Sequence, residues 1–307
     1  MSLYNKQYHI RNYRPSDWNK FLLLYQEIKK ADHLEPALWE LKEQLSRPNY
    51  SPGKNLFVVE SVGELVGCLD ITPELNIGRA VLNCLVHPCH RRKGLASKLF
   101  FSAQKRMQEL GLTLAHINIH DDNEAGKAAL ARLGFKYIRK YLEMQRSIVH
   151  YCREEIKHSA PANIRYLHLC PGQEEELTRL QNKAFEGSWG FNPNTVEEIR
   201  YRINLKGSSA KDVILAYEGS RPVGYCWTKR SQERAEGRIH MLGVDPDYRG
   251  RGISKGLLAE ALSYLKGKGI ELVKLTVDSH NLPAYRLYRS LQFTAWASTL
   301  WFEKKWG

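Results

Sequence analysis

Residues 86–96 read Val-His-Pro-Cys-His-Arg-Arg-Lys-Gly-Leu-Ala, and residues 244–254 read Val-Asp-Pro-Asp-Tyr-Arg-Gly-Arg-Gly-Ile-Ser. Pro88 and Pro246, Arg91 and Arg249, and Gly94 and Gly252 each stand 158 positions apart. Downstream, Asn123 and Asn281 keep that offset, as do Phe135 and Phe293. One offset held over some 48 residues marks a domain written twice in tandem, within a length of 307 residues that itself fits two domains. The expected division is 1–150, a polar linker at 151–162 and 163–307.

Working outward, each copy predicts the same series of elements. Short strands at 9–13 and 163–168 lead into helical runs. Paired strands follow at 55–60 with 64–71, and at 213–217 with 222–228, joined by short Gly-containing turns. Strands 80–86 and 237–244 end at a proline, pass through the quoted basic turn and enter long amphipathic helices at 92–110 and 252–268. Apolar strands at 113–119 and 271–277 come next. Each is followed by a helix opened by Asn123 or Asn281, a favoured N-cap type, and by a closing strand pair from Phe135 or Phe293. The fold class is α/β, an α+β mixed sheet formed twice.

Composition narrows the function classes. At 43% apolar and 26% charged, the chain is ordinary globular material and not disordered, collagen-like or coiled-coil. No apolar run approaches the roughly 18–20 residues of a membrane helix, and residues 1–10 lack the apolar core of a secretory signal, so the expected location is the cytoplasm. The formal charge of +13 is spread evenly: residues 1–150 hold 22 basic and 15 acidic residues, the remainder 24 and 18. A distributed excess suits a nucleotide-like anion or a nucleic acid equally. No recognition helix, finger or RNA-binding signature favours the latter. The six cysteines form no paired framework and read as small hydrophobes. His87 with His90 and His116 with His120 admit a metal reading, but the first pair flanks a basic turn where such residues are expected anyway.

The basic turn carries the chemistry. Strand, then Arg-x-x-Gly-x-small, then helix lets backbone N–H groups close on an anion while the helix N-terminus adds its partial positive charge. Arg91, Arg92, Lys93, Arg249 and Arg251 are expected to strengthen that field. One such turn is a weak signal; two, each with the same downstream helix, are a strong one.

Arg249-Gly250-Arg251-Gly252-Ile253-Ser254 and Arg91-Arg92-Lys93-Gly94-Leu95-Ala96 resemble the coenzyme A pyrophosphate loop of the GNAT N-acetyltransferase superfamily, Gln/Arg-x-x-Gly-x-Gly/Ala. Asn281-Leu282-Pro283-Ala284-Tyr285-Arg286-Leu287-Tyr288, ending at Leu291-Gln292-Phe293, is similar to that family's Asn-x-x-Ala-x-x-Leu-Tyr…Gly-Phe motif. The resemblance covers nearly the whole chain, once per half, and the tandem arrangement is similar to that of the mycothiol synthases. It implies two GNAT acyl-CoA N-acyltransferase folds, acetyl-CoA as co-substrate and a primary amine, most readily of a small molecule, as acceptor. By the resemblance, the strand through Leu242 and Val244 would hold the pantetheine arm, the backbone of Gly250 to Lys255 the pyrophosphate, and Asn281 would touch the pantetheine. The equivalent set in the first copy is Cys84, Val86, Arg91, Arg92, Lys93, Gly94, Leu95, Ala96 and Asn123.

The resemblance also implies that Tyr288 protonates the departing thiolate. Subtracting 158 gives Leu130, which has no proton to give, so the second copy is expected to be catalytic and the first structural or coenzyme-binding only. Gln292 in place of glycine predicts an altered turn before Phe293. For the proton from the amine, Glu236, Arg238 and His240 share one strand face, and His240 is the candidate base by its titration range. An arginine at 238, where a mycothiol synthase would want an acidic group, argues for another acceptor. Trp189 either lines the acceptor pocket or caps the core. A coenzyme-binding protein without turnover and a protein acetyltransferase are the alternatives. Acceptor identity and oligomeric state have no signature in the chain.

Overall fold

The structure is a computed structural model that describes residues 8–31, 38–153, 161–231 and 234–306. The chain divides into two compact units, residues 1–139 with 300–307, and residues 140–299.

The first unit contains β1 (His9–Asn12), α1 (Trp18–Ala31), α2 (Leu38–Ser46), α3 (Pro52–Asn55), β2 (Leu56–Ser61), β3 (Glu64–Glu74), β4 (Arg79–Val86), α4 (Leu95–Glu109), β5 (Leu114–His120), α5 (Glu124–Arg132) and the start of β6 (Lys136–Ser147). The second contains the rest of β6, then β7 (Ile164–His168), α6 (Glu174–Phe185), α7 (Val196–Ile203), β8 (Val213–Glu218), β9 (Arg221–Arg230), β10 (Glu236–Val244), α8 (Ile253–Gly267), β11 (Leu272–Asp278), α9 (Leu282–Ser290) and the start of β12 (Thr294–Lys305). The mixed α/β fold expected from the sequence is present in both units.

In the second unit the strand order is β6-β11-β10-β9-β8-β7. Only β10 and β11 run parallel; β7–β8, β8–β9, β9–β10 and β6–β11 are antiparallel. α8 covers one face because Ile253, Leu257, Leu258, Ala261, Leu262 and Leu265 recur at helical spacing and are all buried. They pack on Ile239, Val273, Leu275 and Val277 from alternate positions of the strands. Each such Leu or Ile contributes about 1.5–3 kcal/mol on leaving water. α6 and α7 cover the other face over Leu215, Tyr225 and Trp227.

The first unit repeats the plan, with β1-β2-β3-β4-β5-β12 in order and a parallel pair at β4–β5. α4 packs on one face through Leu95, Leu99, Phe100, Ala103 and Met107, and α1 packs on the other through Phe21, Leu24 and Ile28.

Two expectations need correction. Each copy closes with one 12-residue strand, not with a strand pair. These strands are also exchanged between the copies. Residues 140–147 of β6 pair with β11 inside the second unit, from Tyr141↔Asp278 to Ser147↔Leu272, whereas residues 300–305 of β12 belong to the first. Phe302 lies in the first unit's core, and Lys304 Nζ donates to the Leu133 carbonyl at 2.6 Å. The compact units therefore part at 139/140 and 299/300, away from the repeat boundaries at 150 and 163. Most of the expected linker, residues 154–160, lies outside the described residues. Its first residue, Tyr151, is buried and donates from its hydroxyl to the Ala259 carbonyl at 3.0 Å.

Candidate active site

In the second unit β10 and β11 pair only at Glu236↔Leu272, Gly237↔Val273 and Arg238↔Lys274. Beyond Arg238, β10 stays with β9 as far as Val244↔Gly224, while β11 stays with β6 as far as Asp278↔Tyr141. The sheet parts into a wedge with its apex near Arg238 and its mouth at the C-terminal end of β10. The β10 edge through Leu242 and Val244 has no strand partner on that side among the described residues. Such an edge accepts an extended ligand through main-chain hydrogen bonds.

The mouth is closed by the basic turn. A tight turn at Pro246–Tyr248 is held by the buried Asp245, whose carboxylate accepts from the Asp247 N–H at 3.1 Å. Burial works to raise the Asp245 carboxyl, but its hydrogen bond to Lys183 overrides this and holds it below the ordinary carboxylate range. Gly250 and Gly252 then take φ of +78° and +76°, the left-handed region, before α8 starts at Ile253. The N–H groups at the first turn of any α-helix lack intrahelical acceptors, and here that turn follows directly on the C-terminal end of β10. The Gly250 to Lys255 stretch expected from the sequence thus runs through the turn into the N-terminus of α8.

The arginines of the turn divide their work. Arg249 does not stand free over the turn: its Nε donates to the Val244 carbonyl at 3.3 Å and its Nη2 to the Ala184 carbonyl at 2.7 Å. It ties the turn to the end of β10 and to α6. Arg251 donates to the Asp247 carbonyl at 3.1 Å and lies 4.7 Å from the Tyr248 ring centre, close to the turn itself.

Tyr288 and His240 approach the wedge from opposite faces. Tyr288, on α9, packs in the core under α8, with its ring 6.0 Å from that of Phe293. Burial, and secondarily the Cys226 thiol of β9, push its hydroxyl well above the ordinary phenol range, so it stays protonated. α9 is opened by Asn281, whose side chain accepts from the Ala284 N–H at 3.2 Å. Asn281 is therefore the N-cap that sets the direction of α9. Gln292 does not alter the turn that follows. Its φ of +61° is in the region of Gly134, at +79°, and the Phe293 N–H still reaches the Tyr288 carbonyl, as Phe135 reaches Leu130.

His240 lies on the α6–α7 face. The β9–β10 register skips between Ile239↔Thr228 and Met241↔Trp227, so His240 is the extra residue of a β-bulge, a device that re-aims a side chain. Its ring meets that of Trp227 edge-on at 5.8 Å. Burial, and then the charges of Lys229, Arg202 and Arg238, hold its imidazole well below the ordinary range. It is a neutral hydrogen-bonding group and resists taking a proton. Arg238 donates to the Thr276 hydroxyl across the apex. Glu236, the other acid on this strand, is bound to Lys274 at 2.7 Å.

The first unit has a second wedge. Its β4–β5 pairing stops at Leu82↔Ile117, and β4 continues with β3 to Gly67↔Val86 without a bulge. Arg91 Nε donates to the Val86 carbonyl at 3.1 Å, matching Arg249, and Lys93 Nζ donates to the Cys89 carbonyl at 3.3 Å. Gly94 keeps a φ of +74°, and Arg92, where the other copy has Gly250, is held at +63°. Leu95 and Ala96 open α4, Cys84 and Val86 pack on its core, and Asn123 caps α5 by accepting from the Gly126 N–H at 2.8 Å. Leu130 fills the place of Tyr288 inside that core. Of the histidines considered for a metal, His87 lies 3.4 Å from Glu27, His90 3.2 Å from the Tyr8 hydroxyl, and the buried His116 3.1 Å from Glu303.

Sequence reasoning missed the bulge at His240 and everything contributed by residues 140–147. Tyr141 meets Trp189 of the α6–α7 connection with ring centres 6.1 Å apart, so both stand on the α6–α7 face of the second unit. No local signal announces which sheet a closing strand joins.

Comparison with known proteins agrees with this geometry. The pattern of the Acetyltransferase (GNAT) family matches residues 18–135 and again 174–293. A mycothiol acetyltransferase of Saccharomonospora viridis is 32% identical, covering 87% of this chain and 92% of its own. One from Stackebrandtia nassauensis is 30% identical over 83% of each. Among solved structures, a GCN5-related N-acetyltransferase from Sphaerobacter thermophilus superposes with a TM-score of 0.77 at 21% identity, covering 97% of this chain and 95% of that one. A tandem GNAT protein from the clavulanic acid biosynthesis pathway gives 0.75 at 16%, covering 98% and 99%. No helix among the described residues is long and apolar enough to cross a membrane. The chain belongs to the GNAT family of acetyltransferases, and it carries that family's domain twice.

Proposed function

We propose that the second unit transfers the acetyl group of acetyl-CoA to the primary amine of a small molecule, and that the first unit is structural or binds coenzyme without turnover. The observation that carries this reading is the wedge between β10 and β11, with a protonated tyrosine on one face and a bulged histidine on the other. In this reading the pantetheine arm lies along Leu242 and Val244, and its pyrophosphate rests on the backbone from Gly250 to Lys255. The thioester then sits where the strands part. The amine lone pair attacks the thioester carbon from the His240 side, the C–S bond breaks with its electrons on sulfur, Tyr288 gives its proton to the thiolate, and the proton shed by the new amide nitrogen restores Tyr288 by way of solvent. No covalent enzyme intermediate is needed. The neutral His240 accepts a hydrogen bond from the incoming amine and orients its lone pair. Leu130 in place of a tyrosine, and the unbulged β4, support a first unit without this chemistry.

The relatives named mycothiol acetyltransferase support a small-molecule acceptor of the mycothiol type over a protein substrate. The test is thiol release from acetyl-CoA with a mycothiol-type amine, set beside polyamines, aminoglycosides, amino sugars and peptide N-termini. Release with one small-molecule amine supports the reading. Tight acetyl-CoA binding without release by any amine refutes it.

A further inference from the structure

The exchanged strand brings a carboxylate into the second unit that the repeat assigns to the first copy. In β6, Leu142 and Met144 face the α8 core, so Tyr141, Glu143 and Gln145 face the acceptor side. The Tyr141–Trp189 ring contact fixes that orientation independently. Glu143 is paired directly with Thr276 of β11, and Thr276 holds Arg238 of β10 at the apex of the wedge. Directly paired residues on neighbouring antiparallel strands have Cβ atoms about 4.5–5.5 Å apart, which sets Glu143 one strand from where the thioester would lie.

Glu143 is half-buried and forms no ion pair among the described residues. The other acids on this face are engaged: Glu236 with Lys274, and Asp278 with His280 at 3.5 Å and with the His280 N–H at 2.9 Å. The remaining charged or titratable groups that share this face are Lys274 from β11, Arg238 and His240 from β10 and Tyr141 from β6 itself. The β12 segment 294–299 has none.

We propose that Glu143 is the acceptor-binding carboxylate of the second unit and the proton acceptor of the reaction, resting on the acetyl transfer described above. It holds the incoming ammonium and takes its proton. As nitrogen bonds to the thioester carbon, the C–S electron pair leaves on sulfur and the thiolate is protonated from Tyr288; the second proton, shed by the new amide nitrogen, restores Tyr288 by way of solvent, and Glu143 returns the first to solvent. The catalytic cleft is then assembled from both copies of the repeat.

The test compares wild type, Glu143→Gln and Glu143→Asp with the amine that gives the fastest thiol release in the panel, from pH 5.5 to 9, alongside acetyl-CoA affinity by calorimetry. A positioned base typically contributes about 10²–10⁴-fold. Glu143→Gln is expected to lower kcat/KM for the amine by about 10²-fold or more across this range. Acetyl-CoA affinity should stay within twofold, and Glu143→Asp should keep part of the activity. Equal kcat/KM for wild type and Glu143→Gln at every pH overturns this assignment while leaving acetyl transfer in place. A wild type inactive with every amine overturns both.

Discussion

Replacing Gly252 with alanine separates backbone strain from every other contribution of the turn. A Cβ built on Gly252 cannot escape its φ of +76°, the region of the neighbouring Gly250, whose own added Cβ meets nothing within 4 Å. An L-residue in the left-handed region carries roughly 1–2 kcal/mol of strain. That strain has two outlets. If the turn keeps its shape, stability falls by about 1–2 kcal/mol, and the melting temperature drops by about 2–4 °C per kcal/mol for a unit of this size. If the turn relaxes, acetyl-CoA must restore it, and affinity weakens by up to about 5–30-fold. Thermal unfolding without ligand and calorimetric titration with acetyl-CoA measure the two outlets, which together should account for the 1–2 kcal/mol range. The converse change is informative in the first unit. Arg92→Gly relieves the strain at +63° but gains chain entropy in the unfolded state, for a net stabilisation of about 0.5–1 kcal/mol. Unchanged stability and unchanged affinity in Gly252→Ala would refute the role given to the turn.

Two further substitutions test the supporting structure. A Cβ at Gly243 would stand 2.7 Å from the buried Tyr225 ring and 3.0 Å from Phe185, so Gly243→Ala should destabilise the protein by about 1–3 kcal/mol in urea unfolding and displace α6 from β10. His240 is held neutral in the fold, so the unfolded chain binds the extra proton first. Stability from this residue is complete above its ordinary pKa of 6.5 and is lost as pH falls through its lower folded value. The urea midpoint of wild type should therefore fall more steeply than that of His240→Gln as pH is lowered from 7 towards 4.5; parallel curves would show that His240 is not held neutral.

Much of this architecture was legible because each local signal agreed with its copy. The strands into and out of the turn fell within a residue or two of their observed ends, and both asparagines proved to be N-caps, since capping depends on the side chain and three following residues. The hydrogen bonds of Arg249 were not legible, because charge alone does not say which carbonyls a guanidinium reaches; that depends on Val244 and Ala184 being near. The bulge at His240 was invisible for the same reason, being a property of the register between β9 and β10. The exchange of β6 and β12 lies furthest from the sequence. Their alternating patterns suit either sheet, so only the assembled topology puts Glu143 beside Thr276 and Phe302 beside the α4 core.

Tyr288→Phe tests the assignment of chemistry to the second unit most directly. The change removes only the hydroxyl from a ring that stays packed against Phe293 under α8, so folding and acetyl-CoA affinity should be nearly unchanged. Loss of a positioned acid is expected to lower kcat by about 10²–10⁴-fold, or roughly 2.7–5.4 kcal/mol in the barrier. The decisive measurement is kcat for thiol release by Tyr288→Phe beside wild type, with acetyl-CoA affinity measured on the same samples. A fall of about a hundredfold or more at constant affinity is the predicted result; wild-type turnover in the variant would contradict the account.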